Sequence, residues 1–232
     1  MLELFPQGFE EIDHADGVEL VAYTDSGGEE RLWQAFGGAS AAELEPGWED
    51  AWRRFHRPAR IGRLWVGPPW LEPDPGAVAV VIDPGRAFGT GAHATTRLCL
   101  ELIAAIPPGS LLDVGCGSGV LAIAAGKLGH GPLAAMDVDP AAIEATRANA
   151  EANGVEIDVR LLDAIGADEL PRADTVVANI TADDVSRLPA LDATRAVTSG
   201  YLASDTVSLP GFLRVDRRET EGWAADLHAR AE

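Results

Sequence analysis

The 232-residue sequence predicts a doubly wound α/β protein with a mostly parallel sheet, preceded by a small α+β appendage. Three observations predict it. From Gly76 onward, apolar runs of strand length alternate with helical patterns, the arrangement of a parallel sheet with right-handed crossovers. One such run, Leu111–Val114, ends in a glycine-rich turn that opens a helix. The tail then breaks the alternation: 214–220 and 223–229 flank Glu221-Gly222, an antiparallel hairpin that closes the sheet.

Taken in order, residues 1–46 are weakly patterned, with one strand expected over 18–23 and a turn at Gly27-Gly28. Residues 47–75 read as a connection. Trp48, Trp52 and Phe55 share one helical face, Glu49 and Asp50 suit the helix start, and Arg53, Arg54 and Arg57 suit its end. Pro58 stops this helix, a strand follows over 60–66, and a proline-rich stretch runs to Pro75, so the domain boundary is expected at residue 76. Within 76–232, strands are expected over 78–82, 111–114, 133–138, 157–162, 175–179 and 200–203. Helices are expected over 95–106, 120–128 and 140–153. The third helix carries Asp139 as cap, Pro140 at its first position and Gly154 just past its end.

Bulk properties narrow the function classes. Hydrophobic residues form 47% of the chain, enough for a substantial core, yet no stretch approaches the ~18 apolar residues of a membrane span. The N-terminus lacks the basic start and apolar stretch of a signal peptide, and the two cysteines, Cys99 and Cys116, give no disulfide framework. A soluble cytoplasmic protein, monomeric and without a membrane partner, is expected. The net charge of −19 opposes binding to nucleic acid and favours a basic protein partner, although acidity also serves plain solubility.

The local chemistry gathers at strand ends. The turn Gly115-Cys116-Gly117-Ser118-Gly119 lets backbone N–H groups approach a ligand. Its G-x-G-x-G spacing, with Asp113 just before it, departs from the dinucleotide G-x-G-x-x-G; a structural turn or another nucleotide remains open. Asp137 ends the next strand about twenty residues on, where a carboxylate accepts both ribose hydroxyls of an adenosine. Capping a helix is the alternative, but Asp139 is better placed for it. Asp163 follows the third strand, either facing an adenine edge or as a solvated loop acid. A second glycine-rich stretch, from Asp83 to Thr96, leads into a helix, so that Thr96 at its N-terminus is a candidate carboxylate site, with a plain N-cap as the alternative. Phe88 of that stretch is placed with the cofactor contacts, and His93 either lines the reaction site or is a loop histidine without a role. Asn179, at the end of 175–179, offers an uncharged amide to orient an amine, or is a turn asparagine. The histidines are too scattered for a metal site.

Together, DPGRAFGTGAHATT, DVGCGSGVLAIAAGKLG, MDVDPAAIEATRANAEANG and VVANITA resemble the ribosomal protein L-eleven methyltransferase (PrmA) family, and WEDAWRRFHRPARIGRLWVGPPW resembles that family's linker helix and strand. The resemblance implies a seven-stranded class I methyltransferase sheet over 76–232. It also implies transfer of methyl from S-adenosylmethionine, with S-adenosylhomocysteine as product, to lysine or N-terminal amines of a ribosomal protein. Cofactor contacts carry over to Thr96, Gly115, Asp137 and Asn179, with Gly117 in the same turn, and His93 matches a motif histidine. Three departures stand out. The chain is expected to begin inside the family's ferredoxin-like recognition domain, Thr181 replaces a usual leucine, and 204–212 is too short for the usual crossover helix. Methylation of another protein lysine or a small amine, a catalytically silent relative, and an NAD-dependent oxidoreductase are the competing readings.

Overall fold

The computed structural model describes residues 10–14, 17–21, 32–33, 35–36, 38, 57–83, 91 and 93–231. The chain divides into two compact units, Met1–Arg53 and Arg54–Glu232. In the first, β1 (Glu10–His14) and β2 (Gly17–Val21) pair antiparallel, with Glu10 opposite Val21. β2 meets the strand expected over 18–23. The Gly27-Gly28 turn, and the 48–57 helix except Arg57, lie outside the described residues.

The second unit holds two sheets. β3 (Ala59–Ile61) pairs antiparallel with β4 (Leu64–Gly67), which pairs parallel with β5 (Val78–Val81). β5, expected in the main sheet, belongs instead to this three-stranded one. Leu64, Trp65 and Val66 form a fully buried run, and such a run needs a partner strand buried on both faces. The run Val78–Val81 supplies it. The small sheet therefore bridges the boundary expected at residue 76, and Arg60 and Asp74 clamp the connection at 2.7 Å.

The main sheet has the order β11-β12-β10-β9-β6-β7-β8. Its strands are β6 (Leu111–Val114), β7 (Leu133–Asp137), β8 (Asp158–Leu161), β9 (Thr175–Asn179), β10 (Arg195–Leu202), β11 (Phe212–Thr220) and β12 (Trp223–Arg230). Pairs from β10 through β8 are parallel, and the β11–β12 hairpin joins antiparallel at the β10 edge. Among the described residues four helices accompany them: α1 (Ala94–Ala105), α2 (Val120–Lys127), α3 (Pro140–Asn153) and α4 (Ala182–Arg187). Neighbouring strand residues feed opposite faces, as the two-residue period of a strand requires. Leu111, Val177 and Val197 pack with Leu98, Leu102 and Ile123, whereas Leu112, Val176 and Ala196 pack with Val185 and Leu188. The start of α2 is buried from Val120 through Ala125, as expected of a helix that is apolar all round. α3 has the expected caps: Asp139 accepts from Ala141 N–H, and Gly154 takes the left-handed conformation.

Two strand-end features differ from expectation. β10 begins at Arg195, not at residue 200, because Thr198 and Ser199 look like loop residues yet are buried with their hydrogen bonds satisfied. The Ser199 hydroxyl donates to the Ala224 carbonyl at 2.7 Å, and Thr198 Oγ1 meets Tyr201 Oη at 2.7 Å and His228 Nε2 at 3.0 Å. Between β10 and β11 there is no helix, in line with the short connection. The loop instead buries Val207 and Leu209 against the sheet. Arg217 holds it, donating to the carbonyls of Ala203 and Asp205 while pairing with the buried Asp226 at 3.4 Å.

Gly200 is the bulged residue of β10, with φ +99°, and a Cβ there would lie 2.1 Å from the Ile180 carbonyl oxygen. Gly200→Ala should therefore cost about 2–4 kcal/mol, combining left-handed strain with overpacking against backbone. Urea denaturation checks this; a loss below about 0.5 kcal/mol would mean that the Ile180 turn yields freely.

Candidate functional site at the carboxyl ends of the parallel strands

The chain winds outward from β6 through β7 to β8, then returns to build β9 and β10 on the other side of β6. Ligands of open α/β sheets bind at such a switch, beyond the carboxyl ends of the strands. A cleft of about 260 Å³ opens there. It brings together Thr96, Gly115, Gly117, Asp137, Asp163 and Asn179, all expected from the sequence. It adds Val138, Leu162, Ile165, Ile180 and Asp184, which sequence reasoning did not single out.

The glycine turn is held by backbone geometry. Gly115, Gly117 and Gly119 have φ of 72°, 53° and 80°, where a side chain is strained. A Cβ on Gly115 would also meet Ile180 Cγ2 at 2.5 Å. The N–H groups of Gly115 and Cys116 donate to the Met136 carbonyl, and Gly117 N–H donates to Asp137 Oδ2 at 3.0 Å. From α3, Thr146 Oγ1 donates to the Gly117 carbonyl and Asn149 Nδ2 to the Ser118 carbonyl. Asp137 Oδ1 also accepts from Asp139 N–H at 3.0 Å, so the carboxylate is oriented while keeping free lone pairs toward the cleft.

Of the two alternatives expected for Thr96, the structure removes the plain N-cap. The α1 cap is His93, whose Nδ1 accepts from Thr95 N–H and lies 2.8 Å from Thr95 Oγ1. Neither threonine is the N-cap. Thr96 is 1% exposed, and its hydroxyl has no protein partner among the described residues although it borders the cleft. A buried unpaired hydroxyl costs about 1–3 kcal/mol, so this one marks a place for a polar ligand group. His93 stacks edge-on against Trp223, with ring centroids 5.0 Å apart, and is not among the residues lining the cleft. Phe88 lies outside the described residues. Asp163 Oδ1 accepts from Ile165 N–H at 3.0 Å, an Asx turn that leaves its other oxygen available. Asn179, half-buried at the end of β9, has a side-chain amide with no partner among the described residues.

Asp184 lies in the first turn of α4, a helix not expected from the sequence. Thr181 caps it, accepting from Asp184 N–H. The signal was present as Thr-x-x-Asp directly after a strand.

Both cysteines are free and buried, which disfavours their thiolate forms. Burial, reinforced by Asp113, pushes the Cys116 thiol up to about 12, and burial raises Cys99 further still. Among the described residues no group of side chains has metal-ligand spacing. No helix of the described residues is long and apolar enough to cross a membrane.

Asp113, fully buried below the turn, accepts from Ala122 N–H at 3.1 Å and so helps hold the start of α2, where Gly119 has no side chain to cap. Burial raises its carboxyl to about 7, the Ala122 N–H partly opposes this, and the Asp137 charge adds to it. The folded protein therefore holds a proton that the unfolded chain releases above about pH 4. Its stabilising contribution is complete below that pH and is lost as pH rises toward 7. Asp113→Asn should gain on wild type by an amount on the order of a few kcal/mol between pH 4.5 and 7.5. Urea midpoints at the two pH values measure the gain, and an equal difference at both would contradict a raised pKa.

The family model described as "Ribosomal protein L11 methyltransferase (PrmA)" matches residues 15–225. A "Ribosomal protein L11 methyltransferase" of Symbiobacterium thermophilum is 45% identical over 204 residues, covering 79% of this chain and 66% of its own length. One of Shewanella sediminis is 43% identical over 176 residues, covering 74% of this chain and 58% of its own. The chain thus spans less than two thirds of these curated relatives. Among solved structures, "ribosomal protein L11 methylase" from Lactobacillus delbrueckii subsp. bulgaricus superposes with a TM-score of 0.62 at 26% identity, covering 75% of this chain and 99% of that one. With a family match over most of its length and relatives above 40% identity, this chain belongs to the ribosomal protein L11 methyltransferase (PrmA) family.

Proposed function

We propose that the chain is an S-adenosylmethionine-dependent N-methyltransferase acting on lysine or N-terminal amines of a basic protein, a large-subunit ribosomal protein, as a cytoplasmic monomer. The observation that carries this reading is Thr96: a buried hydroxyl without a protein partner, opening on the same cleft as the glycine turn, Asp137 and Asn179. These groups fit the parts of the methyl donor. Thr96 and the α1 N-terminus suit its carboxylate. Gly115 and Gly117 admit its chain, and Asp137 suits the ribose hydroxyls. Val138 and Leu162 offer an apolar wall to the base, with Asp163 at its edge. When bound, the donor supplies an electrophilic methyl on a sulfonium.

The protein's own task is then positioning. Asn179 cannot take a proton, but its amide oxygen can hold the N–H of an acceptor amine and aim the lone pair. His93, capping α1, keeps the Thr96 turn in place beside the reaction. The acceptor loses its proton to water. A lysine amine with pKa ~10.4 is about one part in a thousand neutral at pH 7.4, a handicap of ~4 kcal/mol, whereas an N-terminal amine of pKa ~7.7–8.0 gives up under about 1 kcal/mol.

Calorimetry should show S-adenosylhomocysteine binding far more tightly than NAD, and Asp137→Ala losing about 1.5–3 kcal/mol. Labelled methyl should appear in ribosomal protein L11, at a rate on lysine that rises with pH past about 8. Asn179→Ala should lower kcat about a hundredfold, far more than it weakens donor binding. Tight NAD binding, or no methyl in L11, contradicts the proposal.

A further inference from the structure

Resting on the acceptor assignment above, we propose that Asp184 is the cleft's cation-recognising residue, holding the positively charged amine of the protein acceptor beside Asn179. Three carboxylates line the cleft, Asp137, Asp163 and Asp184, and no lysine or arginine does so among the described residues. Two of the three are oriented by backbone N–H groups, although each keeps some capacity to accept. Asp137 accepts from Gly117 and Asp139, and Asp163 from Ile165. Asp184 accepts no backbone N–H among the described residues. Its Oδ2 takes the Thr181 hydroxyl at 2.8 Å, and its Oδ1 lies 3.6 Å from Arg187, which is equally far from Asp183. One guanidinium shared between two acids leaves a net negative charge at this wall.

The helix-capping explanation accounts for little of this. In a capping box the third-position acid accepts the cap residue's own N–H. Here the Thr181 hydroxyl already accepts from Asp184 N–H, so the cap is made without the carboxylate's charge. The unpartnered Thr96 hydroxyl, which borders the same cleft, independently marks it as a ligand site. An acceptor amine is cationic when it arrives as ammonium and again after methylation. Asn179 has no charge with which to hold it, and Asp184, five residues along the same connection, has one. The carboxylate therefore governs capture of the amine, and the amide its aim.

The test is calorimetry on the full chain saturated with S-adenosylhomocysteine, using ribosomal protein L11 as the probe. Asp184→Asn keeps an oxygen for the Thr181 hydroxyl, Asp184→Ser is a second neutral variant, Asp184→Glu restores the charge, and Asp183→Asn, with its side chain 83% exposed, controls for the general acidic field. Both neutral variants should weaken L11 binding about five- to thirtyfold, the range for a charge-assisted bond at a partly exposed group. Asp184→Glu should recover most of the loss, and Asp183→Asn should stay within about twofold. Affinities for S-adenosylmethionine and S-adenosylhomocysteine should be unchanged throughout. L11 binding that ignores both neutral variants overturns the inference alone. So does a loss confined to S-adenosylmethionine, which would assign the charge to the donor. A wild-type chain that binds S-adenosylhomocysteine but not L11 overturns the acceptor assignment and this inference with it.

Discussion

Ile180 is wedged between two places where a Cβ is absent, and the cleft depends on that wedge. On one side Gly115 leaves room for its Cγ2, and on the other Gly200 leaves room for its carbonyl. The ends of β6, β9 and β10 are thereby held close enough to converge. Asn179 precedes the wedge and the α4 turn follows it, so both inherit their positions from a contact that neither makes. Packed interiors shift little under such contacts, which is why a backbone approach of this kind fixes a site more firmly than a surface hydrogen bond would.

The buried polar groups divide along the same line. Below the glycine turn, Asp113 accepts from the start of α2, which has no side-chain cap, and burial raises its carboxyl so that the core carries less fixed charge than an ordinary aspartate would bring. At the hairpin edge the opposite solution appears. Asp226 is fully buried and meets Arg217, Arg214 and the Tyr201 hydroxyl. Breaking such a pair costs more than never having built it, so the network serves to define one arrangement of β10, β11 and the loop between them. That loop covers the sheet face with Val207 and Leu209 where a crossover helix would otherwise lie.

Sequence pattern revealed what is local. The glycine turn, Asp137 separated from the cap Asp139, and the tail hairpin are signalled by residues within one turn or strand, and each was legible. Pairing across long separations was not. The run Val78–Val81 is equally apolar whether it joins the main sheet or β4, and only the need to cover Leu64–Gly67 decides between them. The start of β10 was hidden because Thr198 and Ser199 are polar, and their partners Ala224 and His228 come some thirty residues later. Asp184 was missed for a related reason. Its place in the cleft depends on a six-residue helix too short to show periodicity, though its capping residues were visible.

The two walls of the cleft are built from different materials. The side proposed for the donor consists of glycines and strand-end residues whose positions are set by buried strands and by α3. The side proposed for the acceptor rests on α4, where only Val185 is buried and Thr181, Asp183, Ser186 and Arg187 face solvent. Substitutions on exposed positions of a short helix usually change stability by less than about 0.5 kcal/mol, whereas changes beneath the glycine turn disturb the core. Thr181, the cap of α4, lies on this permissive wall. On the proposed reading, the wall that would meet the acceptor, at Thr181 and Asp184, is therefore the one that tolerates change, and the proposed donor cradle is the one the core constrains.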